Sequence, residues 1–168
     1  MVEVVPAAPP CEVFLDLAWP GSMARRVVVS VSRDTSLGRQ FVLLCSGQRG
    51  ACYANTRMLE VEFEGQPGEY MLGGDYQNND GEGGDALLPD LTQGEYWTSD
   101  KAGAVRPWGY DTALGAQFRI TTRDFHPGTG WSGVFGEVVR GLEVVKEASQ
   151  HRPITEVTVV RCGVMLSR

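Results

Sequence analysis

The chain has 168 residues, enough for one domain that buries a real core. Its 42% hydrophobic and 21% charged residues are ordinary for a folded, water-soluble domain. A formal charge of −6 excludes the basic footprint of a nucleic-acid or anionic-membrane binder. No apolar run approaches the ~20 residues a membrane helix needs.

Residues 1–10, MVEVVPAAPP, read as a linker, so the domain proper is expected over 11–168 as part of a longer chain. No charged stretch followed by an apolar core marks a secretion signal. Cys11, Cys45, Cys52 and Cys162 are scattered with no CxxC pair. That spacing predicts free thiols in a reducing compartment, the cytoplasm or nucleus, and neither a metal site nor a disulfide frame.

In chain order, Val13 to Ala18 and Arg26 to Ser32 are rich in apolar and β-branched residues around the turn-like Pro20-Gly21-Ser22, which predicts a hairpin. Asp34 is the expected N-cap of a helix that places Leu37, Phe41, Leu44 and Cys45 on one face and stops at Gly47. Thr56 to Glu64 alternates, with Leu59, Val61 and Phe63 on one side and Glu60, Glu62 and Glu64 on the other. Tyr70 to Leu72, Gln117 to Thr121 and Val134 to Val139 are further short strands, and Pro89 to Leu114 reads as a long loop. A second helix is expected from about Gly141 to Gln150, with Leu142, Val145 and Ala148 inward. Ile154 to Cys162 closes the chain as an alternating strand. The pattern predicts an all-β fold: a closed barrel of about eight antiparallel strands capped by two α-helices.

The stretch from Glu69 to Asp85, EYMLGGDYQNNDGEGGD, is the most unusual. A phosphate loop would follow its last glycine with Lys and Ser or Thr, whereas Gly84 is followed by Asp85 and Ala86. The spacing of Asp75, Asp80, Glu82 and Asp85 does not fit a calcium loop of the helix-loop-helix type. No cofactor or metal is implied.

The words of the sequence, taken in order, resemble the cyclophilins. VFLDLA, ARRVVVSVSRDTSLGRQFVLLCSGQRG, YMLGGDYQNNDGEGG, GAQFRITT, VFGEVVRGLEVVKEA and ITEVTVVRCGVM look like that family's strands, helices and glycine loop, and they cover the chain from about Val13 to Leu166. Cyclophilins are peptidyl-prolyl cis/trans isomerases, eight-stranded barrels with a helix over each opening. An arginine weakens the peptide-bond conjugation, an apolar pocket holds the proline ring, and a glutamine helps position the chain.

Carried over by position, the resemblance implies a degraded site. The family arginine falls on Glu64 when counted back from Gly73-Gly74-Asp75, or on Glu60 when counted forward from Tyr53. A carboxylate cannot donate to an amide nitrogen. The pocket phenylalanine is Arg119, the residues before the double glycine are Glu69, Tyr70 and Leu72, and the family tryptophan falls at Pro127 beside His126. Gln117 remains, for the groove or for a structural hydrogen bond alone. Arg119 is expected to pair with Glu60 or Glu64 and close the old pocket. The resemblance thus implies an inactive domain that contacts a protein or peptide partner, for which Tyr96, Trp97 and Trp108 on the Pro89 to Leu114 stretch are the candidate anchors. Cyclosporin, which family members bind through the same pocket, is not expected to bind. Cyclophilin domains occur as modules of ubiquitin ligases, nucleoporins and splicing proteins. The alternative is a weak isomerase that uses other groove donors.

Overall fold

In the computed structural model, which describes residues 7–166, the chain enters a long hairpin of β1 (Cys11–Trp19) and β2 (Ser22–Val31). The linker expected over residues 1–10 lies outside the described residues for 1–6. Val13, Leu15 and Leu17 face inward with Val27, Val29 and Val31, all fully buried, and the strands are in register from Cys11↔Val31 onward. On the other face Asp16 is held by Arg26 at 2.9 Å and Arg161 at 3.2 Å.

Helix α1 (Ser36–Ser46) covers one barrel mouth. Its N-cap is Thr35, not the expected Asp34. Thr35 has the extended backbone of a cap, and its hydroxyl accepts from the Gly38 N–H at 2.9 Å. Asp34, one residue too early to reach that amide, pairs with Arg39. Leu37, Phe41, Leu44 and Cys45 are buried as expected, and Gly47 ends the helix at φ 71°.

The expected strand from Thr56 to Glu64 is split. β3 (Thr56–Arg57) pairs with the last strand, and β4 (Glu60–Glu62) pairs with β5 (Tyr70–Gly73). Between them the Met58 N–H donates to the Val157 carbonyl and the Leu59 N–H to the Leu72 carbonyl, both at 2.8 Å. One short stretch thereby joins the two ends of the sheet and closes the barrel. The clean alternation fails at Phe63, which turns out of the ladder at φ 57° and is exposed.

The remaining elements are β6 (Ala104–Pro107), β7 (Phe118–Thr121), β8 (Gly136–Arg140), α2 (Leu142–Gln150), a 3-10 turn at Ile154–Glu156 and β9 (Thr158–Val164). The antiparallel order is β3-β9-β1-β2-β8-β6-β7-β5-β4. The strand count among the described residues is nine rather than about eight, because one strand is divided and β6 was unforeseen. The expected long loop from Pro89 to Leu114 contains β6 and a bridge from Trp97 to Val134. β6 is only four residues, AVRP, and its arginine and proline break the apolar run that marks a strand. Expected strand ends shift elsewhere: Val134 belongs to that bridge and Ile154 to the 3-10 turn. Inside the barrel Phe118 packs with Phe41 and Tyr53, ring centroids 5.3 and 5.0 Å apart.

Candidate functional site

Four strands set one row of side chains across the outer face of the barrel. Glu60 stands opposite Leu72, Leu72 opposite Arg119, and Arg119 opposite Arg106. Residues in direct register share a face, and their chain neighbours point the other way. The neighbours Met71, Ile120 and Val105 are fully buried in the core, so the row Glu60–Leu72–Arg119–Arg106 lies on the outside. Phe118 and Ile120 lie beneath this face and Arg119 is on it, the orientation expected for β7.

Arg106 is the feature the sequence reading missed. It is 0% exposed, and its Nε, Nη1 and Nη2 have no hydrogen-bond partner among the described residues. Three rings enclose its guanidinium: Trp131 at 4.6 Å, Phe125 at 5.6 Å and Tyr70 at 5.8 Å. Such faces attract a desolvated cation by about 2 kcal/mol each at best, but they accept no conventional hydrogen bond. Burial, and then the like charge of Arg119, draw the guanidinium down to about 10. It therefore remains a cation at neutral pH. The signal in the sequence was an arginine inside an apolar word, AVRP, in a stretch taken for loop.

Arg119 is half-buried. Its Nε donates to the Pro107 carbonyl at 2.9 Å, and its guanidinium lies over Trp131 at 5.0 Å, Tyr70 at 5.1 Å and Trp108 at 5.6 Å. The expected pairing with Glu60 or Glu64 is absent. Among the described residues, Arg119 has no carboxylate within ion-pair distance. Glu64 lies past the end of β4 and pairs with Arg152 at 2.5 Å. Glu60 is separated from Arg119 by the intervening strand and Leu72. Of the two positions proposed for the family arginine, Glu60 is the one on the groove row. Its carboxyl is raised by the side-chain hydrogen bond with Glu62, then by burial and the Glu62 charge.

Tyr70 and Leu72 are both buried on this face, Tyr70 as a wall of the arginine cluster. Glu69 is buried too. It accepts from the Thr122 hydroxyl and the Gly65 N–H and pairs with Arg123 at 3.4 Å, so it braces the strand end and leaves the groove.

The glycine-rich loop is wound around one carboxylate. Asp75 is fully buried and accepts five backbone N–H groups, Gln77 and Asn78 on Oδ1 and Asp80, Gly81 and Gly83 on Oδ2, at 2.9–3.1 Å. Burial pushes its carboxyl up, but donations from Asn78, Asp80, Gly83 and Gly81 outweigh this and hold it well below the usual carboxylate range. The glycines are required by close approach. A Cβ on Gly83 would sit 2.6 Å from Asp75 Oδ1, and one on Gly74, at φ 103°, 2.8 Å from the Ala116 carbonyl. Gln117 is buried, and its side-chain amide donates to the Gly81 and Gly83 carbonyls at 2.9 and 2.8 Å. It pins this loop to β7. An open pocket of about 250 Å³ lies beside it, bordered by Glu60, Leu72, Gly81, Glu82 and Trp108.

His126 is exposed in the following loop, where its backbone carbonyl accepts from Thr129. Of the candidate anchors, only Trp108 is exposed, at 43%. The Tyr96 hydroxyl accepts from the Leu37 N–H at the start of α1 and donates to the Leu91 carbonyl. Trp97 is half-buried in its bridge to Val134, under the Arg33 guanidinium at 4.8 Å. These two serve packing because the stretch that carries them is not a free loop. Trp131, 41% exposed, stands with Trp108 around Arg119 instead.

A closed antiparallel barrel with a helix from each end of the chain and this outer groove defines a cyclophilin-type domain. Residues 26–164 match the family model described as cyclophilin type peptidyl-prolyl cis-trans isomerase/CLD, and the chain belongs to that family. It is also similar to the crystal structure of the mimivirus cyclophilin, with a TM-score of 0.72 over 97% of this chain and 93% of that one. Sequence identity is 20%, so that likeness is one of fold. Among the described residues no helix is long and apolar enough to cross a membrane.

Proposed function

We propose that this cyclophilin-type domain recognises a protein or peptide partner without catalysing prolyl isomerisation, as a module of a larger intracellular protein. The observation that carries the reading is the charged row. Rotation about a peptide bond has a barrier of ~18–20 kcal/mol set by C–N conjugation. Lowering it in the manner of this family needs a cation that donates to the prolyl nitrogen and an apolar pocket for the ring. Glu60 and Glu62 offer carboxylates on the arginine strand, and the ring pocket is occupied by the stacked Arg106 and Arg119. A proline ring entering there would have to desolvate the half-buried Arg119 guanidinium and displace the rings that cover Arg106, and burying an unpaired charge is costly.

One observation favours a second reading, a weak isomerase: Arg119 is a half-buried guanidinium on the groove face. Its Nε is committed to the Pro107 carbonyl, which leaves only the terminal nitrogens free to donate. Isomerisation of a tetrapeptide bearing one Xaa-Pro bond separates the two. The expected rate equals the uncatalysed one, and Glu60→Arg alone does not restore catalysis because the arginine pair still fills the pocket. A catalysed rate that disappears in Arg119→Gln refutes the inactive reading in favour of the second.

A further inference from the structure

Nearly all buried polar groups in folded proteins have a partner, and one without calls for a physical reason. Among the described residues Arg106 carries three unpartnered nitrogens on a fully buried side chain. Directly across the ladder stands a second guanidinium, Arg119. Among the described residues neither has a carboxylate within ion-pair distance. Two rows away, Glu60 and Glu62 are alternate residues of β4 that share one face, and among the described residues neither has a cation within ion-pair distance. The two like-charged pairs leave each other unpaired because Leu72 and its strand lie between them.

We propose that this row is a two-signed peptide site: Arg106 and Arg119 take the carboxylate of an acidic side chain, and Glu60 with Glu62 takes a basic side chain further along the same extended segment. The inference rests on the recognition reading above and names the chemistry of its partner. Strand spacing sets the distance. Glu60 and Arg119 are two ladder steps apart, about 10 Å at ~4.8 Å per step; an extended peptide puts alternate side chains on one face about 6.6 Å apart at ~3.3 Å per residue, and the reach of a Lys side chain covers the rest. Trp108 and Leu72 supply the floor between, beside the 250 Å³ pocket. Trp131, partly exposed, lies over both guanidinium groups, so a carboxylate meets Arg119 first, and reaching the fork of Arg106 requires that ring to turn aside. Asp80 and Glu82 border the same pocket and make the rim acidic. That rim repels a phosphate dianion more than a monoanion that brings its own cation, which favours an acidic and basic peptide over a phosphoryl group.

The test uses the 168-residue chain and three blocked hexapeptides, titrated by calorimetry. One carries Asp and, two residues on, Lys, so that both side chains leave the same face of the extended chain. The others replace the Asp by Asn or the Lys by Gln. The two-signed peptide is expected to bind at least about tenfold tighter than either neutralised one. Arg119→Gln and Arg106→Met should each abolish the preference for Asp over Asn, and Glu60→Gln the preference for Lys over Gln. Arg106→Met should also melt at a higher temperature, since it removes a buried charge that lacks a partner in the unbound protein. A guanidinium kept only for packing would give the opposite shift. Equal affinities for the three peptides, displacement by inorganic phosphate, or an intact acid preference in Arg119→Gln overturns the proposal. Each of those outcomes leaves the isomerase assay silent, so this idea and the inactive-domain reading fail separately.

Discussion

Replacing Asp75 by asparagine tests whether one buried carboxylate organises the glycine-rich loop. The change is isosteric, so packing is preserved and only the hydrogen bonding is altered. In the native protein Oδ1 serves the Gln77 and Asn78 amides and Oδ2 those of Asp80, Gly81 and Gly83. Asparagine keeps one acceptor and turns the other into an NH₂ group that faces N–H donors. With its oxygen toward the second set, it still loses two partners and loses charge assistance in the remaining three. A hydrogen bond to a charged group contributes about 1.5–3 kcal/mol, and a stranded buried donor costs about 1–3 kcal/mol. Part of the loss is relieved by water, because the loop tip is exposed. The expected destabilisation is roughly 3–5 kcal/mol, a large share of the 5–15 kcal/mol typical of a domain. In thermal denaturation followed by circular dichroism at pH 7, that is a fall of roughly 6–20 °C at ~2–4 °C per kcal/mol. The pH dependence has a defined sign. The Asp75 carboxyl titrates lower in the folded than in the unfolded chain. Its contribution is complete above the unfolded value of about 4 and is lost as pH falls below it. The gap between wild type and Asp75→Asn should therefore narrow in acid. Asp111→Asn, at an exposed position, should change stability by no more than about 0.5 kcal/mol in the same assay. An Asp75→Asn protein within about 1 kcal/mol of wild type at neutral pH would refute the idea that the carboxylate holds the loop.

Gln117→Ala removes both side-chain links to the Gly81 and Gly83 carbonyls and leaves a cavity at a buried position; urea denaturation should show a loss of about 2–3 kcal/mol. Gly74→Ala forces a Cβ to within 2.8 Å of the Ala116 carbonyl at φ 103°, so the same assay should show at least about 2 kcal/mol lost, larger than for Gly21→Ala, where open space surrounds the residue. Cyclosporin should give no heat of binding to the wild-type domain, since its apolar side chains would have to cover Arg119 and the Glu60 rim; micromolar affinity would place the groove elsewhere. Glu64→Gln breaks only the exposed pair with Arg152, and a stability change above about 1 kcal/mol would contradict its position outside the groove.

What the sequence determined by itself was the barrel and much of its order. Alternating apolar residues at Val13, Leu15, Leu17 and Val27, Val29, Val31 can bury only one face of a sheet, and Leu37, Phe41, Leu44 and Cys45 only one face of a helix, so the period of each run dictated its element. Gly47 and the turn at Pro20-Gly21 punctuated those runs through backbone geometry that is local to a residue or two. The alternation along β7 placed Phe118 and Ile120 inward and Arg119 on the opposite face. Tertiary structure alone decided how the charges there are arranged. Whether Arg119 meets Glu60, Glu64 or an aromatic face depends on strand register and on how the flanking loops bring Trp108 and Trp131 over it, and no local pattern encodes that. The same holds for Asp75, whose role comes from five amides that converge only once the loop has closed. Arg106 is the clearest case: an arginine reads as surface in any window of sequence, and only the pairing of β6 between β7 and β8, with three rings folded over it, makes it a buried cation without a hydrogen-bond partner among the described residues.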